Sequence, residues 1–114
     1  MKKINILIAI PSLDSGGVEM GVLEFCKQVS KTQDFNLFIA TSGGKLINQI
    51  NKNIKIIPID IKSKNPFIIW KNQEKIKQIL LENKIDIVQI ESRIPAWNFI
   101  NICKKLRIPT ISII

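Results

Sequence analysis

Short isoleucine-rich runs alternate with segments of helical spacing along the whole chain, and this alternation constrains the fold more than any other feature. Residues 4–10 are almost continuously apolar, as expected of a parallel strand that is covered on both faces. A set of apolar residues with the period of a helix follows: Val18, Val22, Phe25, Cys26 and Val29. The start of the chain therefore predicts a buried strand followed by an amphipathic helix.

The same alternation continues to the last residues. Further strands are predicted at residues 37–40, 54–59 and 85–90 and after Pro109. Helices are predicted at residues 46–51, across residues 69–80 and around Pro95, which suits a first helical turn. This order favours an α/β fold: a Rossmann-like parallel sheet with helices on both faces. We expect a single domain over residues 1–114, with ligands beyond the carboxyl ends of the strands.

The charge of the chain limits its partners. The formal net charge is +8, from 17 basic and nine acidic residues. Such a balance is compatible with nucleic acid, an anionic membrane surface or a phosphate-bearing substrate. The lysines are scattered, however, and there is neither an arginine-rich stripe nor a nucleic-acid-binding motif. We therefore expect no nucleic-acid partner.

Cysteine usage and hydropathy exclude further classes. The two cysteines, Cys26 and Cys103, have no histidine to join them, so we expect core residues and neither a metal site nor a disulfide. No apolar run approaches the roughly 20 residues of a membrane span. The basic, apolar start resembles a signal peptide, but its apolar run is short, contains Asn5 and lacks a cleavage site. The expected location is the cytoplasm.

Two adjacent glycines, Gly16 and Gly17, stand where the first strand gives way to the first helix. Asp14 or Ser15 is expected to cap this helix, and Glu19 suits the positive end of its dipole. Free N–H groups at a helix N-terminus attract phosphate, and missing side chains let a diphosphate approach the backbone. The pair equally suits a tight strand-to-helix turn. The residues alone leave both interpretations open.

Two common nucleotide-binding motifs are absent. A dinucleotide fingerprint needs G-x-G-x-x-G after the first strand and an acid at the end of the second. The chain instead has GGVEMG after its first strand and FIATS at the end of its second. A P-loop needs Gly-Lys followed by Ser or Thr, whereas this chain has GGKL, after the wrong strand. These observations argue against a nicotinamide cofactor and against a P-loop.

Four loops in order resemble glycosyltransferase family 4, in a bacterial subgroup. They lie in the stretches ILIAIPSLDSGGVEMGVLEF, SKNP, ESRIPAW and IPTISII. The resemblance implies a GT-B architecture, in which two Rossmann-like domains face each other across a cleft, and this chain would be the N-terminal one. Such enzymes are retaining and move a sugar from a nucleotide-diphosphate donor, generally without a metal or other cofactor. By position, Gly16 and Gly17 would lie against the donor diphosphate, with Glu19 beside the same cleft.

The resemblance also implies acceptor contacts, because the N-terminal domain of such enzymes mostly holds the acceptor. The candidates are Ser92, Arg93 and Trp97. Helix packing is an equal explanation for Trp97, and a solvated loop charge is the alternative for Arg93. Lys62, Lys64 and Asn65 could line the rim of the cleft, but a solvated loop is the preferred interpretation of these three polar residues.

The chain departs from the family in two respects. The family places a histidine after the fifth strand, and a C-terminal domain supplies most nucleotide contacts and two glutamates; the 114 residues include neither. We therefore expect a domain truncated at its C-terminal end, with no catalytic residue of its own and no activity alone. Expected partners are a nucleotide sugar, a glycan or lipid-linked acceptor of the cell envelope, the missing C-terminal domain and an anionic membrane face. The alternative is a non-catalytic Rossmann-like module that binds a phosphorylated ligand or a partner chain.

Overall fold

The strands of the described residues form one sheet. The computed structural model describes residues 3–14 and 16–112. In chain order the strands are β1 Ile4–Ala9, β2 Phe35–Thr41, β3 Lys55–Pro58, β4 Ile87–Ile90 and β5 Thr110–Ser112. The helices are α1 Gly17–Val29, α2 Pro66–Glu82 and α3 Arg93–Leu106, and a short 3-10 helix spans Lys45–Gln49.

The order of the strands determines where a ligand can enter. That order is β3-β2-β1-β4-β5, and every neighbouring pair is parallel. The chain moves outward from β1 to β3 and then returns to the other side of β1, so the order reverses between β1 and β4. The loops after these two strands diverge and leave a crevice at the carboxyl edge. The predicted Rossmann-like α/β fold is confirmed.

Strand β1 is almost continuously apolar because its side chains fill a core on each face of the sheet. Ile8 packs in the cluster that contains Val22 of α1. Leu7 packs in the opposite cluster, with Ile76 of α2 and Phe99 of α3. Full burial of such a side chain contributes about 1.5–3 kcal/mol. These two cores hold α1 on one face and α2 and α3 on the other.

An amide network joins α2 to α3. The Oδ1 of the fully buried Asn98 accepts a hydrogen bond from Asn72 Nδ2 at 2.9 Å, and its backbone carbonyl accepts one from Gln73 Nε2 at 3.0 Å. The Asn98 amide also donates to the carbonyl of Ile94 at 2.8 Å. A buried amide left without partners costs about 1–3 kcal/mol. The network therefore keeps the starts of the two helices side by side at the carboxyl edge.

The start of α1 differs from the prediction. Among the described residues, no side chain hydrogen-bonds to its first turn, and Gly16 occupies the N-cap position. The Asp14 carboxylate instead accepts a hydrogen bond from the backbone N–H of Lys45 at 3.3 Å. The prediction that Asp14 caps this helix is wrong, because a neighbouring loop takes its carboxylate. Ser15, the other predicted cap, lies outside the described residues.

The other elements agree with the prediction to within a few residues. The strands expected at 37–40, 54–59 and 85–90 are β2, β3 and β4, and the helix expected at 46–51 is the 3-10 helix. The last predicted strand is β5, and residues 113–114 lie outside the described part. Within residues 3–14 and 16–112, no helix combines the length and the apolar character that a membrane span needs.

Candidate functional site

A cleft of about 800 Å³ opens at the carboxyl edge, where the strand order reverses. One wall is the first half of α1, including Gly17 and Gly21, and the opposite wall is the end of β4 and the start of α3. Three of the predicted acceptor contacts line that second wall: Ser92, Arg93 and Trp97. The fold thus brings together the loops after the first and fourth strands, although Gly17 and Ser92 are 75 residues apart in sequence.

The backbone at the glycine pair does not require glycine. Gly16 has an extended conformation, with φ 175°, and Gly17 is the first residue of α1. A Cβ placed on Gly17 would meet no atom of residues 3–14 and 16–112 within 4 Å. A Cβ on Gly16 would approach only the end of the Glu19 side chain, 2.8 Å from its Oε2. Both glycines are exposed at the first helical turn, whose N–H groups have no intrahelical partner.

Glu19 lies beside the cleft rather than in its lining. It faces a small adjoining hollow of about 140 Å³, which shares Val18, Glu91 and Ser92 with the cleft. The Glu19 carboxylate folds back towards Gly16, where the positive end of the helix dipole stabilises a negative charge. An anion bound at the glycine pair would therefore meet this carboxylate.

Ser92 is the N-cap of α3 and has a strained backbone. Its φ of 138° and ψ of 169° lie in a region that is essentially restricted to glycine, and its side chain makes no capping hydrogen bond. A residue in such a conformation costs about 1–3 kcal/mol, and such residues cluster at binding and catalytic sites. The strain puts the Ser92 side chain where the cleft and the small hollow meet.

Arg93 and Trp97 present large side chains to the cleft from successive turns of α3. Arg93 is exposed at the first helical position, where the dipole disfavours a cation by about 0.3–1 kcal/mol. Helix stability therefore does not explain an arginine here. Trp97 is 53% exposed, so it is not a core residue of this domain. The apolar packing suggested as an alternative for Trp97 accounts for only part of its surface.

Three polar residues of the cleft were not predicted as binding residues. Glu91 is only 5% exposed, and its carboxylate accepts a hydrogen bond from Gln89 Nε2 at 2.6 Å; both residues line the cleft. The sequence signal that could have identified Glu91 is an acidic residue directly after a buried strand. Lys64 is exposed, as expected of a loop residue, but it also lines the cleft. Its neighbour Asn65 accepts a hydrogen bond from Phe67 N–H at 2.9 Å and so caps α2.

The polar groups of the cleft suit a ligand that is partly anionic and partly a ring. Arg93 and Lys64 supply positive charge, and the starts of α1 and α3 add the positive ends of two helix dipoles. The Glu91 carboxylate and the exposed face of Trp97 suit hydroxyl groups and the apolar face of a ring, respectively. Among the described residues, no group of three histidine, cysteine, aspartate or glutamate side chains is placed to hold a metal ion.

The two cysteines lie in the core, as predicted. Cys26 and Cys103 are both buried and free. Burial raises the pKa of each thiol from 9.0 to about 11. Because the thiolate is the reactive form, neither residue is a nucleophile at neutral pH.

No protein-family model matches the sequence, and a search of curated proteins gave no match. Solved structures do match. A glycosyltransferase from Rickettsia africae ESF-5 is 34% identical, with a TM-score of 0.83 over 98% of this chain and 30% of its own. The chain is a glycosyltransferase-like domain. MurG from Acinetobacter baumannii is 20% identical, with a TM-score of 0.71, and the match covers 96% of this chain and 34% of that one.

A UDP-GlcNAc 2-epimerase from Methanocaldococcus jannaschii shares the fold at 16% identity and a TM-score of 0.64, covering 98% of this chain and 31% of its own. The glycosyltransferase-like domain thus spans about a third of the length of each of these proteins. Its parallel sheet and helices have the GT-B type of Rossmann-like fold, as the resemblance implied.

Proposed function

We propose that the chain is the N-terminal, acceptor-side domain of a retaining glycosyltransferase of family 4. The whole enzyme would move a sugar from a nucleotide-diphosphate donor to a glycan or lipid-linked acceptor of the cell envelope. One observation carries the proposal: in a domain 34% identical to a glycosyltransferase, Gly17 at the start of α1 and the candidate acceptor residues at the start of α3 line opposite walls of one cleft. The proposed setting is the cytoplasmic face of an anionic membrane, with no nucleic-acid partner.

The donor diphosphate would rest on the start of α1. Gly16 and Gly17 leave its first N–H groups free of side-chain cover, and the dipole favours an anion there. Because the fold itself tolerates a Cβ at Gly17, close approach of a ligand is a reason for glycine that packing does not provide. The Glu19 carboxylate would move aside or accept a hydrogen bond from the donor as the diphosphate arrives.

The acceptor would occupy the wall formed by α3. The exposed ring of Trp97 offers a surface for the apolar face of a sugar, and Ser92 and Glu91 offer hydrogen-bonding groups for its hydroxyls. Arg93 would pair with a phosphate or carboxylate of the acceptor, because its guanidinium binds such groups in a bidentate manner. Lys64 adds a second cation at the same rim.

Transfer itself would need the second domain. Departure of a nucleoside diphosphate requires aimed dipoles and charges around it and a closed, water-excluding cleft. A cleft that is open on the side away from this domain cannot provide these conditions, so we assign no catalytic residue to this chain. We expect the 114 residues alone to release no nucleoside diphosphate from any nucleotide sugar.

Amide chemical shifts of the ¹⁵N-labelled chain test the donor site. Titration with inorganic pyrophosphate, and then with UDP- and GDP-sugars, should shift the Gly16 and Gly17 resonances first. A free sugar phosphate acceptor analogue should instead shift Arg93 and the Trp97 indole N–H. If pyrophosphate shifts amides elsewhere and leaves both glycines unchanged, the donor site is wrong.

The gene sequence after codon 114 distinguishes an enzyme from a non-catalytic binding module. Codons that follow residue 114 and encode a second Rossmann-like half would support the enzyme, and the complete product should then transfer sugar. If the complete product binds pyrophosphate but releases no nucleoside diphosphate from any donor, the module is the better interpretation.

A further inference from the structure

A row of exposed side chains runs along the outer face of α2. We call it the outer stripe and define it as Phe67, Trp70, Glu74, Lys77 and Leu81. These positions alternate in steps of three and four residues, so they lie on one face of the helix. Three of the five side chains are large and apolar, yet Phe67 is 58% exposed, Trp70 is 70% exposed and Leu81 is 54% exposed. Exposed apolar side chains that share one face indicate a contact surface.

Neither the core nor the cleft accounts for the outer stripe. The buried residues of α2, which hold the helix on the sheet, occupy other positions: Asn72, Ile76, Ile79 and Leu80. Within the described part of the chain, no residue of α2 lines the cleft. The partner of the stripe therefore lies outside this domain.

The charge pattern of the stripe identifies that partner. Its apolar residues lie towards the two ends of α2, and its charged residues, Glu74 and Lys77, lie between them. If two copies of α2 pack antiparallel about a twofold axis between residues 75 and 76, Trp70 of each copy lies opposite Leu81 of the other. The same register places Glu74 opposite Lys77 on both sides of the axis. Matching the apolar residues alone sets the register, and the opposite charges then meet without further adjustment.

Other pairings of the helix lack this complementarity. A parallel pair in register would place Glu74 against Glu74 and Lys77 against Lys77, and like charges repel. An antiparallel pair with Phe67 opposite Leu81 would put the twofold axis at Glu74, which again brings two carboxylates together. We propose that the outer stripe pairs two copies of the chain through antiparallel α2 helices. The Glu74–Lys77 pairs fix the register, as charged and polar residues do within the apolar seam of a coiled coil.

The resulting dimer is weak and leaves the cleft open. One helix from each copy makes a small interface, below about 1,200 Å² in total, which is typical of transient complexes. Phe67 enlarges the apolar contact, because its ring lies beside that of Trp70, with the centroids 6.1 Å apart. We expect a Kd of about 10–100 µM. Because α2 does not line the cleft, this pairing does not depend on the proposed function.

Sedimentation velocity over a range of protein concentrations tests the proposal. In about 0.15 M salt, where the repulsion between two copies of net charge +8 is screened, the chain should change from monomer to dimer. In a Trp97→Phe background, Trp70 is the single tryptophan, so its fluorescence emission should shift to the blue over the same concentrations. A chain that stays monomeric at about ten times the expected Kd, where most of it should be dimeric, would overturn the proposal.

Exchange of charges tests the register. Glu74→Lys and Lys77→Glu each place like charges on both sides of the twofold axis and should weaken the dimer about tenfold to thirtyfold. An equimolar mixture of the two variants should dimerise as tightly as the wild type, because each copy then meets opposite charges on the other. The matched controls, Glu82→Lys and Lys75→Glu, make the same changes of charge at exposed positions about 100° around the helix from the stripe. Both controls should dimerise like the wild type.

Truncation of the apolar residues tests the contact itself. Trp70→Ala should weaken the dimer by at least about thirtyfold, because a buried tryptophan is a common hot spot of interfaces. Its side chain is exposed in the monomer, so the melting temperature of the dilute, monomeric chain should not fall. A dimer that persists in Trp70→Ala, equal losses in the stripe and control charge variants, or no recovery in the mixture would each reject the proposed interface. Monomeric variants should bind pyrophosphate at Gly17 like the wild type, so failure of the dimer and failure of the donor site are separate results.

Discussion

The chain has two pairs of adjacent glycines that look alike in sequence but differ in the reason why glycine is present. Gly16-Gly17 follows β1 and precedes α1, and Gly43-Gly44 follows β2 and precedes the 3-10 helix. Both pairs lie at the carboxyl edge of the sheet. One of them is required by the fold, and the other is not.

The second pair is required by the backbone. Gly43 and Gly44 have φ values of 119° and 145°, which other residues rarely adopt. A Cβ on Gly44 would collide with the backbone of Leu13, whose nitrogen would be 2.7 Å away. Leu13 N–H also donates to the Gly43 carbonyl, and Leu46 N–H donates to the Leu13 carbonyl, both at 2.7 Å. These contacts pack the loop after β2 against the loop after β1.

The first pair has neither constraint. Its backbone is extended and then helical, and within the described part of the chain the one group that a Cβ on either glycine would approach is the flexible end of Glu19. A glycine that the fold does not need, at the rim of a cleft, suggests that a ligand needs the space. Adjacent glycines in a sequence therefore do not identify a phosphate site until dihedral angles and neighbours separate the two causes.

Gly44→Ala should have the largest effect, because the new Cβ would meet both a disallowed φ and the Leu13 backbone. We expect the free energy of unfolding in urea to fall by about 2–5 kcal/mol. Gly21→Ala, in the middle of α1 with nothing within 4 Å, is the control and should raise stability by about 1 kcal/mol. A loss below about 1 kcal/mol for Gly44→Ala would remove the distinction between the pairs.

Gly17→Ala should separate binding from stability. The methyl group has room in the free domain but would lie where the diphosphate is proposed to rest. We expect pyrophosphate affinity to fall about tenfold, or about 1.4 kcal/mol, with no loss of thermal stability. Gly21 lines the same cleft one helical turn later, and Gly21→Ala should keep full affinity for pyrophosphate. Unchanged affinity in Gly17→Ala would make the pair a simple bend.

Ser92→Gly tests at a third position whether the backbone conformation requires glycine. Ser92 shares the backbone of Gly44, with φ 138° and ψ 169° against 145° and 170°, yet carries a side chain. Glycine relieves the strain but loosens the unfolded chain, so the net gain in stability should be about 1 kcal/mol. Calorimetry measures this gain as a higher melting temperature. A lower melting temperature in Ser92→Gly would show that the serine side chain stabilises the loop.

Glu19→Gln should have the smallest effect. Removing a negative charge next to Gly16 reduces its repulsion of a bound anion, and we expect pyrophosphate to bind about two- to fivefold more tightly. Glu24→Gln, at an exposed position five residues further along α1, provides the control. Weaker binding in Glu19→Gln would instead indicate that the carboxylate takes part in holding the ligand.

Much of the fold and part of the site could be predicted. The apolar run of β1 and the helical spacing that follows it are local patterns, and burial of those side chains makes the same elements in the structure. The loops after the first and fourth strands were also expected to matter. Asp14 was misassigned because its partner, the backbone N–H of Lys45, belongs to a distant loop. Glu91 was not singled out, and a solvated loop was preferred for Lys64, because the cleft that both residues line forms between distant parts of the chain.

The amino-acid sequence by itself determined the alternation of strands and helices, since hydrophobic periodicity depends on neighbouring residues. Tertiary structure alone decided the strand order, the cleft between β1 and β4 and the reason for each glycine pair. The physical cause is distance along the chain: Gly44 must be glycine because of Leu13, 31 residues earlier, and Gly17 faces Ser92 only once the sheet has formed.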